Sequence, residues 1–464
     1  MKFHFENLGL LDSAELELSD LTIICGENNT GKTYATYAVY GFLRSWKMFI
    51  RNVIISEISY VIENSKSKKQ INLEEIFSGK INEYLNKSCL EFKKIINDAF
   101  AAKEDSFKNI EIAISIDHEM DILEKKFIST VQGGDSILVT ITKEANSSIL
   151  EILYADVEDK LPVPLTEFVI DAIAQIVFSN YFPRVHISSA ERTGAAIFRR
   201  ELDMARTRIL RTISEMNSKE IKNRPLKFLQ AIRTTGYAWP VEDNVDYARQ
   251  LEDIDKQESE LIKNNPKIMS IFNEIIGGSY KVIRNQGLFF QVKGTRNKRY
   301  TMNEASSCAR ALLDVGFYLR CEASPGDLFI IDEPELNLHP KNQRTFARLI
   351  AQLVNSGIKV FITTHSDYII KELNTLILLN QRTKHTKLIQ DKYKYSDNEL
   401  LDSNKISIYI TDRNGKKGGQ NILRKVEIDP KEGIEVKTFD DTINLMNEIQ
   451  DSLIYGENLN DLIS

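Results

Sequence analysis

The sequence predicts an α/β fold, a mixed β-sheet with flanking helices, and three observations predict it. LTIIC (21–25) is a continuous apolar run, as a strand covered on both faces requires. The turn-like GENNTGKT and an apolar helical pattern, TYATYAVYGFLRSW, follow it. Two later apolar runs, in GDLFIIDEPELNLHP and GIKVFITTHSDYII, end in polar tips and read as further buried strands. With 42% hydrophobic and 27% charged residues, the chain has the composition of a globular protein with a full core.

The elements follow in order. At 464 residues the chain is long enough for two or three structural units. Phe3 and Phe5, then Ala14, Leu16 and Leu18, recur at period two and mark short strands before the LTIIC run. A helical insertion is expected at about 47–108, rich in Lys, Glu and Asn, inside an N-terminal unit spanning 1–194. IEIAISI (110–116), SILVTIT (136–142) and RVHISSA (184–190) have strand character, and LTEFVIDAIAQIVFSNYF has helical periodicity. Residues 195–275 form a second, charged helical insertion, where Phe198, Leu202, Ala205, Ile209, Ile213 and Met216 make an apolar stripe. A hairpin-like SYKVIRNQGLFFQVKG opens the next unit, 276–380. Residues 381–464 read as a small α/β C-terminal tail with strand candidates ISIYI (406–410) and GIEVKTF (433–439).

Composition excludes several classes. With 21 glycines and 10 prolines, collagen-like and linker-dominated chains are out. A net charge of −6 excludes a surface coated with positive charge but permits a local basic groove. The basic clusters are Lys293, Arg296, Lys298 and Arg299, then Arg413, Lys416 and Lys417, and Arg199, Arg200, Arg206 and Arg208; each reads first as a solvated face. Cys25, Cys89, Cys308 and Cys321 show no C-x-x-C spacing, against a zinc knuckle or a disulfide framework. No apolar stretch reaches the length of a membrane span, and the start has no long apolar segment, so a cytoplasmic protein without membrane contact is expected.

Gly26-Glu27-Asn28-Asn29-Thr30-Gly31-Lys32-Thr33 fits G-x-x-x-x-G-K-[ST] and lies between a strand and a helix, as that motif requires. The glycines let backbone N–H groups curl around phosphate oxygens, and the helix N-terminus adds a favourable dipole. Lys32 would reach the β- and γ-phosphates, and the Thr33 hydroxyl would ligate Mg²⁺. Asp332 and Glu333 end an apolar strand: Asp332 as a holder of Mg²⁺, Glu333 as the group that polarises the attacking water. His365 ends the next strand, where a γ-phosphate sensor belongs.

Four segments, GENNTGKT, the ASS of EASSCARALL (305–307), FIIDEPELNLHP and FITTHSD, resemble the ABC-type ATPases, specifically the SMC-like and overcoming-lysogenization-defect (OLD) branch. The resemblance covers about 1–45 and 280–375. ISSAERTG (187–194) resembles a strand-end motif of bacterial AAA-type defence ATPases. The resemblance implies an ABC-type P-loop nucleotide-binding domain that binds and hydrolyses ATP with Mg²⁺. It places Ser306 and Ser307 in the signature role, against the ATP of a second copy, in a homodimer closed around the nucleotide. Cys308 stands where ABC signatures usually carry glycine, and no glutamine matches the Q-loop; Glu191 and Arg192 occupy a strand end at that point in the order.

Lys32 and Asp332 must meet across one ligand although 300 residues separate them, so the interval must hold insertions. The expectation drawn from the resemblance is the sensor or motor subunit of an anti-phage defence system with a separate effector protein, a nuclease or toxin. A DNA repair or recombination ATPase is the main alternative, and DNA a candidate ligand. A single-chain OLD nuclease would need a Glu and a D-x-D at strand ends, and the tail offers only Asp412, Asp440 and Asp441. A transporter's energising subunit gives no reason for the insertions.

Overall fold

The computed structural model describes residues 1–63, 68–117, 123–133, 136–154, 165–197, 236–284, 286–295, 298–414, 420–434 and 445–453. The chain opens with β1 (Lys2–Leu8), β2 (Leu11–Glu17) and β3 (Leu21–Gly26), and β3 feeds the long helix α1 (Lys32–Glu63). Then come β4 (Lys68–Asn72), β5 (Glu111–Ser115), β6 (Phe127–Gly133), β7 (Ser136–Lys143), β8 (Ile149–Tyr154) and β9 (Val185–Ser188). The second half adds β10 (Gly278–Ile283), β11 (Gly287–Val292), β12 (Arg299–Thr301), β13 (Leu328–Asp332), β14 (Lys359–Thr364), β15 (Ile406–Asn414) and β16 (Gln420–Val426).

Nine of these strands form one mixed sheet in the order β5-β1-β2-β16-β15-β3-β14-β13-β9. From β15 to β9 every neighbour pair is parallel, while β5, β1 and β2 pair antiparallel at the other end. Every residue of β3 is buried, as its uninterrupted apolar run requires. Alternate residues serve opposite faces of the sheet. Ile24, Leu328, Ile330, Phe361 and Tyr409 join the core beneath α1, which also holds the helices Ile81–Ala99 and Leu165–Phe178. Ile23, Cys25, Phe329, Ile331, Ile362 and Ile410 face a second core, closed by helices such as Lys267–Ile276, Pro340–Asn355 and Asp367–Leu379. The result is a helix–sheet–helix sandwich.

The expected insertion at 47–108 is mostly helical, but α1 itself runs well into it. Its β4 joins β8, β7 and β6 in a separate four-stranded antiparallel sheet, and β10, β11 and β12 form a three-stranded one. Part of the segment read as a C-terminal tail lies inside the main sheet. β15 pairs with β3 because its first half is apolar on both faces: Ile408 and Ile410 point to one core and Tyr409 to the other. Of the candidate GIEVKTF, only Gly433–Ile434 is seen as strand; the rest, with Asp440 and Asp441, lies outside the described residues. So do the stripe from Phe198 to Met216 and the basic residues Arg199, Arg200, Arg206, Arg208, Arg296, Lys416 and Lys417. Among the described residues no helix is long and apolar enough to cross a membrane.

Candidate active site

The parallel strands β3, β14, β13 and β9 end along one edge of the sheet. Thr364 lies opposite Cys25, Asp332 opposite Thr363, and Ser188 opposite Ile331. The phosphate-loop motif, the Asp332-Glu333 pair, His365 and the ISSAERTG segment, scattered over 340 residues of sequence, therefore meet within three strand spacings. In open α/β sheets the carboxyl ends of the strands are where ligands bind.

The loop is built around its glycines. Gly26 has φ +140° and Gly31 φ +101°, conformations that side chains rarely adopt. A Cβ on Gly26 would stand 2.1 Å from the Thr411 hydroxyl oxygen, so β15 presses directly against the loop. Thr411 also shares a hydrogen bond of 2.5 Å with the Thr30 hydroxyl, and Thr30 donates to the Glu27 carbonyl. Glu27, Asn28 and Asn29 are exposed, while Thr30, Gly31 and Lys32 are buried. The Lys32 ammonium donates to the carbonyls of Gly26 (3.1 Å) and Glu27 (2.5 Å), inside the curl of the loop. Burial lowers its pKa, and the nearby Glu333 and Asp332 oppose that shift. Thr33, in the first turn of α1, is exposed at the mouth.

Asp332 is 2% exposed. One of its oxygens accepts the Thr363 hydroxyl; the other, Oδ2, is buried with no hydrogen-bond partner among the described residues. Burial pushes its pKa up to about 6. Glu333 has φ +50°, the left-handed region that a glutamate seldom enters. Its N–H donates to the Thr363 carbonyl at 3.1 Å and to the Thr363 hydroxyl at 3.2 Å, which holds the strained residue in place. His365 Nε2 lies 3.4 Å from Glu333 Oε1, and this contact keeps the Glu333 pKa below the ordinary carboxylate value.

Two residues without an assigned role in the sequence organise this edge. Glu335 accepts the His365 N–H at 2.6 Å and the Thr364 hydroxyl at 2.9 Å, tying the end of β14 to the loop after β13. Thr411 is the other; nothing near it in the sequence resembles a motif. The Arg192 side chain turns into the fold. It is 2% exposed, and its guanidinium donates to the carbonyls of Ala311, Ser189, Asp332 and Glu333 at 2.6–2.9 Å. Glu191 is exposed and accepts the Tyr37 hydroxyl at 3.0 Å, beside α1.

Ser306 and Ser307 are exposed, and Ser306 is the N-cap of the short helix Ser307–Ala311, accepting the Ala309 N–H at 3.2 Å. Among the described residues no hydrogen bond joins either serine to the phosphate loop of the same chain. The Cys308 thiol turns inward to the Ile275 carbonyl, which leaves the exposed side of the cap clear.

No curated protein matches the chain. Solved structures similar to it include an Smc head bound to the C-winged helix domain of ScpA (12% identical, covering 92% of this chain and 97% of that one, TM-score 0.34). Others are an SMC head domain from Thermotoga maritima (11%, 92% and 98%, TM-score 0.30) and an Smc head with an extended coiled coil bound to the C-terminal domain of ScpA from Pyrococcus furiosus (12%, 97% and 98%, TM-score 0.33). The family model of the AAA ATPase domain matches residues 1–370, which contain the phosphate loop, both acids and His365. On that match the chain belongs to the AAA ATPase domain family.

Proposed function

We propose that this chain binds ATP at the carboxyl edge of β3, β14 and β13 and hydrolyses it. One observation carries the reading: the Gly26–Thr33 loop follows β3 while Asp332, Glu333 and His365 follow or end the adjacent parallel strands β13 and β14, with both acids near the Lys32 ammonium and His365 beside Glu333. Lys32 exchanges its bonds to the loop's own carbonyls for phosphate oxygens. Glu333, held by its hydrogen bonds and beside His365, takes the proton of the attacking water. The donor set also fits Mg²⁺: the orphaned Asp332 Oδ2 and the exposed Thr33 hydroxyl are hard oxygen ligands. Bound there, Mg²⁺ would neutralise charge on the β- and γ-phosphates.

A hydroxyl can accept one hydrogen bond and donate another. Ser306 can therefore cap its helix and still donate to a phosphate, and with its place on the exposed surface this supports a homodimer in which the signature of one copy completes the site of the other. The biological reading, a sensor or motor of anti-phage defence with a separate effector protein, rests on the likeness of GENNTGKT, ASS, FIIDEPELNLHP and FITTHSD to the SMC-like and OLD branch and of ISSAERTG to bacterial AAA-type defence ATPases. DNA repair or recombination is the alternative. Glu333→Gln tests the chemistry: it should retain ATP binding and turn over at least about a hundredfold more slowly. Full turnover in that variant would move the general base elsewhere.

A further inference from the structure

Two surfaces of this chain leave apolar side chains exposed, and they match one another in length and charge. The first is a groove of about 620 Å³ between α1 and the helix Leu165–Phe178. Met48, Asn52 and Ile55 line it along one stripe of α1, and Ala174 and Gln175 line it from the other helix. Met48 is 45% exposed and Ile55 39%. Arg51, also in the groove, is spanned between Glu167 at 3.3 Å and Asp171 at 3.0 Å. Among the described residues no acid pairs with Lys47, whose ammonium lies over the Trp46 ring. The second surface is the helix at 445–453. Its Leu445, Met446, Ile449 and Leu453 are 52–80% exposed and fall within an arc of about 100° around the helix axis. A helix this short is marginal in water unless its apolar face is packed.

We propose that the helix at 445–453 of a second copy of this chain docks in this groove. The stretch from Lys47 to Ile55 and the helix at 445–453 are equally long, about 13 Å each, so the apolar ridge of one can lie along the whole of the other. The charges are complementary: residues 438–464 hold six Asp or Glu and no Lys or Arg, and Glu448 and Asp451 of the helix bring acid to Lys47. The order of layers makes the occupant a second copy. Ile434 belongs to the second core, and its N–H is held by Asn374 of the helix Asp367–Leu379. α1 and the helix Leu165–Phe178 cover the first core, on the opposite face of the sheet. Residues 435–444 reach about 35 Å at full extension. To dock within one chain they would have to carry the helix round the sheet from one layer to the other, and in this chain both surfaces stay exposed. Exchange between two copies closes on a two-fold axis, each copy giving one helix and receiving one. The contact needs no nucleotide, so it stands independently of the nucleotide-closed dimer proposed above.

The test uses the full chain without nucleotide. Ile55→Cys and Ile449→Cys, purified separately, mixed and mildly oxidised, should give a cross-linked species of twice the chain mass, while each alone stays at background. The wild type sets that background, with Cys25, Cys89 and Cys321 buried and Cys308 half-buried. In sedimentation the wild type should dimerise, and Met48→Asp and Ile449→Asp should each weaken dimerisation at least about tenfold, because each places a charge in an apolar contact. Lys47→Glu should weaken it severalfold, and adding Glu448→Lys should restore it, a rescue that a misfolded variant would not show. Cross-linking of the mixture no greater than background would overturn the proposal, as would a wild type that stays monomeric or wild-type sedimentation of both Asp variants. A double variant, Ile55→Cys with Ile449→Cys, that closes its disulfide within one monomer would also overturn it, by placing the helix in the groove of its own chain.

Discussion

Arg192→Met should weaken the fold moderately and the chemistry severely. The guanidinium makes four hydrogen bonds to backbone carbonyls in three segments: Ser189 after β9, Ala311 in the short helix that Ser306 caps, and Asp332 and Glu333 at the end of β13. Bonds to a charged donor contribute roughly 1.5–3 kcal/mol each, but their sum is not reached. Methionine removes a buried charge whose desolvation costs several kcal/mol, and this offsets much of the loss. It also leaves the buried Asp314 without its cation and takes one of two nearby cations from the buried Asp332, which keeps Lys32. Breaking a buried charge arrangement from one side typically costs about 3–5 kcal/mol. At about 2.1 cal/mol/K per residue, 464 residues have an unfolding entropy near 1 kcal/mol/K, so the melting temperature should fall by about 3–5 °C. Turnover should fall further, by about a hundredfold, because Arg192 fixes the carbonyl of the strained Glu333 and a 1 Å displacement of a reacting group has that effect. Arg192→Lys should be nearly as inactive, since an ammonium is a point donor that cannot span carbonyls in three segments. Differential scanning calorimetry and steady-state ATP hydrolysis give both numbers. Wild-type melting and turnover in Arg192→Met would refute the clamp.

Lys32→Ala should abolish binding of a non-hydrolysable ATP analogue in titration calorimetry; mixed with an equally inactive Ser306→Arg, it should recover up to about half the turnover per heterodimer if the two sites are shared and independent. Thr411→Val should lose the contact with Thr30 and cost about 1 kcal/mol of stability in chemical denaturation, with a severalfold weaker nucleotide affinity. His186 stacks on Tyr318 at 4.2 Å, its Nε2 is buried without a hydrogen-bond partner among the described residues, and burial first, then Arg184, pushes its pKa down to about 3. The unfolded chain takes up that proton near pH 6.5 and the folded chain does not, so stability should drop by about 2 kcal/mol between pH 7 and 5; His186→Phe should flatten the slope, and an unchanged slope would place the titrating group elsewhere.

The parts of the site that were legible in the sequence are those whose chemistry is local. GENNTGKT carries its glycines and its lysine within eight residues, directly after the apolar run LTIIC, and Asp332, Glu333 and His365 stand at the tips of apolar runs. Each could be read alone because a strand buried on both faces needs an unbroken apolar run, and the polar tip marks its end. Arg192 illustrates the opposite case. An arginine after a strand in a nucleotide-binding sequence suits a phosphate, and only the fold shows that four of its five N–H donors go to carbonyls up to 141 residues away in sequence. Glu335 stands two residues from Glu333, yet its partners, the Thr364 hydroxyl and the His365 N–H, are fixed by a strand pairing that no spacing encodes.

Thr411 shows the same limit at longer range and leads to a physical conclusion about the chain. Its neighbourhood, ISIYITDRN, reads as a strand, and no pattern in it points to Thr411. Its importance arises from register: β15 pairs with β3 so that Thr411 falls opposite Gly26. There its side chain occupies the space that a Cβ on Gly26 would need. The glycine in the motif is thus required twice, once for its backbone conformation and once for this contact. The contact also means that residues beyond 400 hold the phosphate loop in shape. Since β15 lies between β3 and β16, and β16 reaches β2, removing it would leave the edge of β3 unpaired and split the sheet into two parts. The phosphate loop would then lose the strand behind it, although every motif residue between 26 and 365 would still be present.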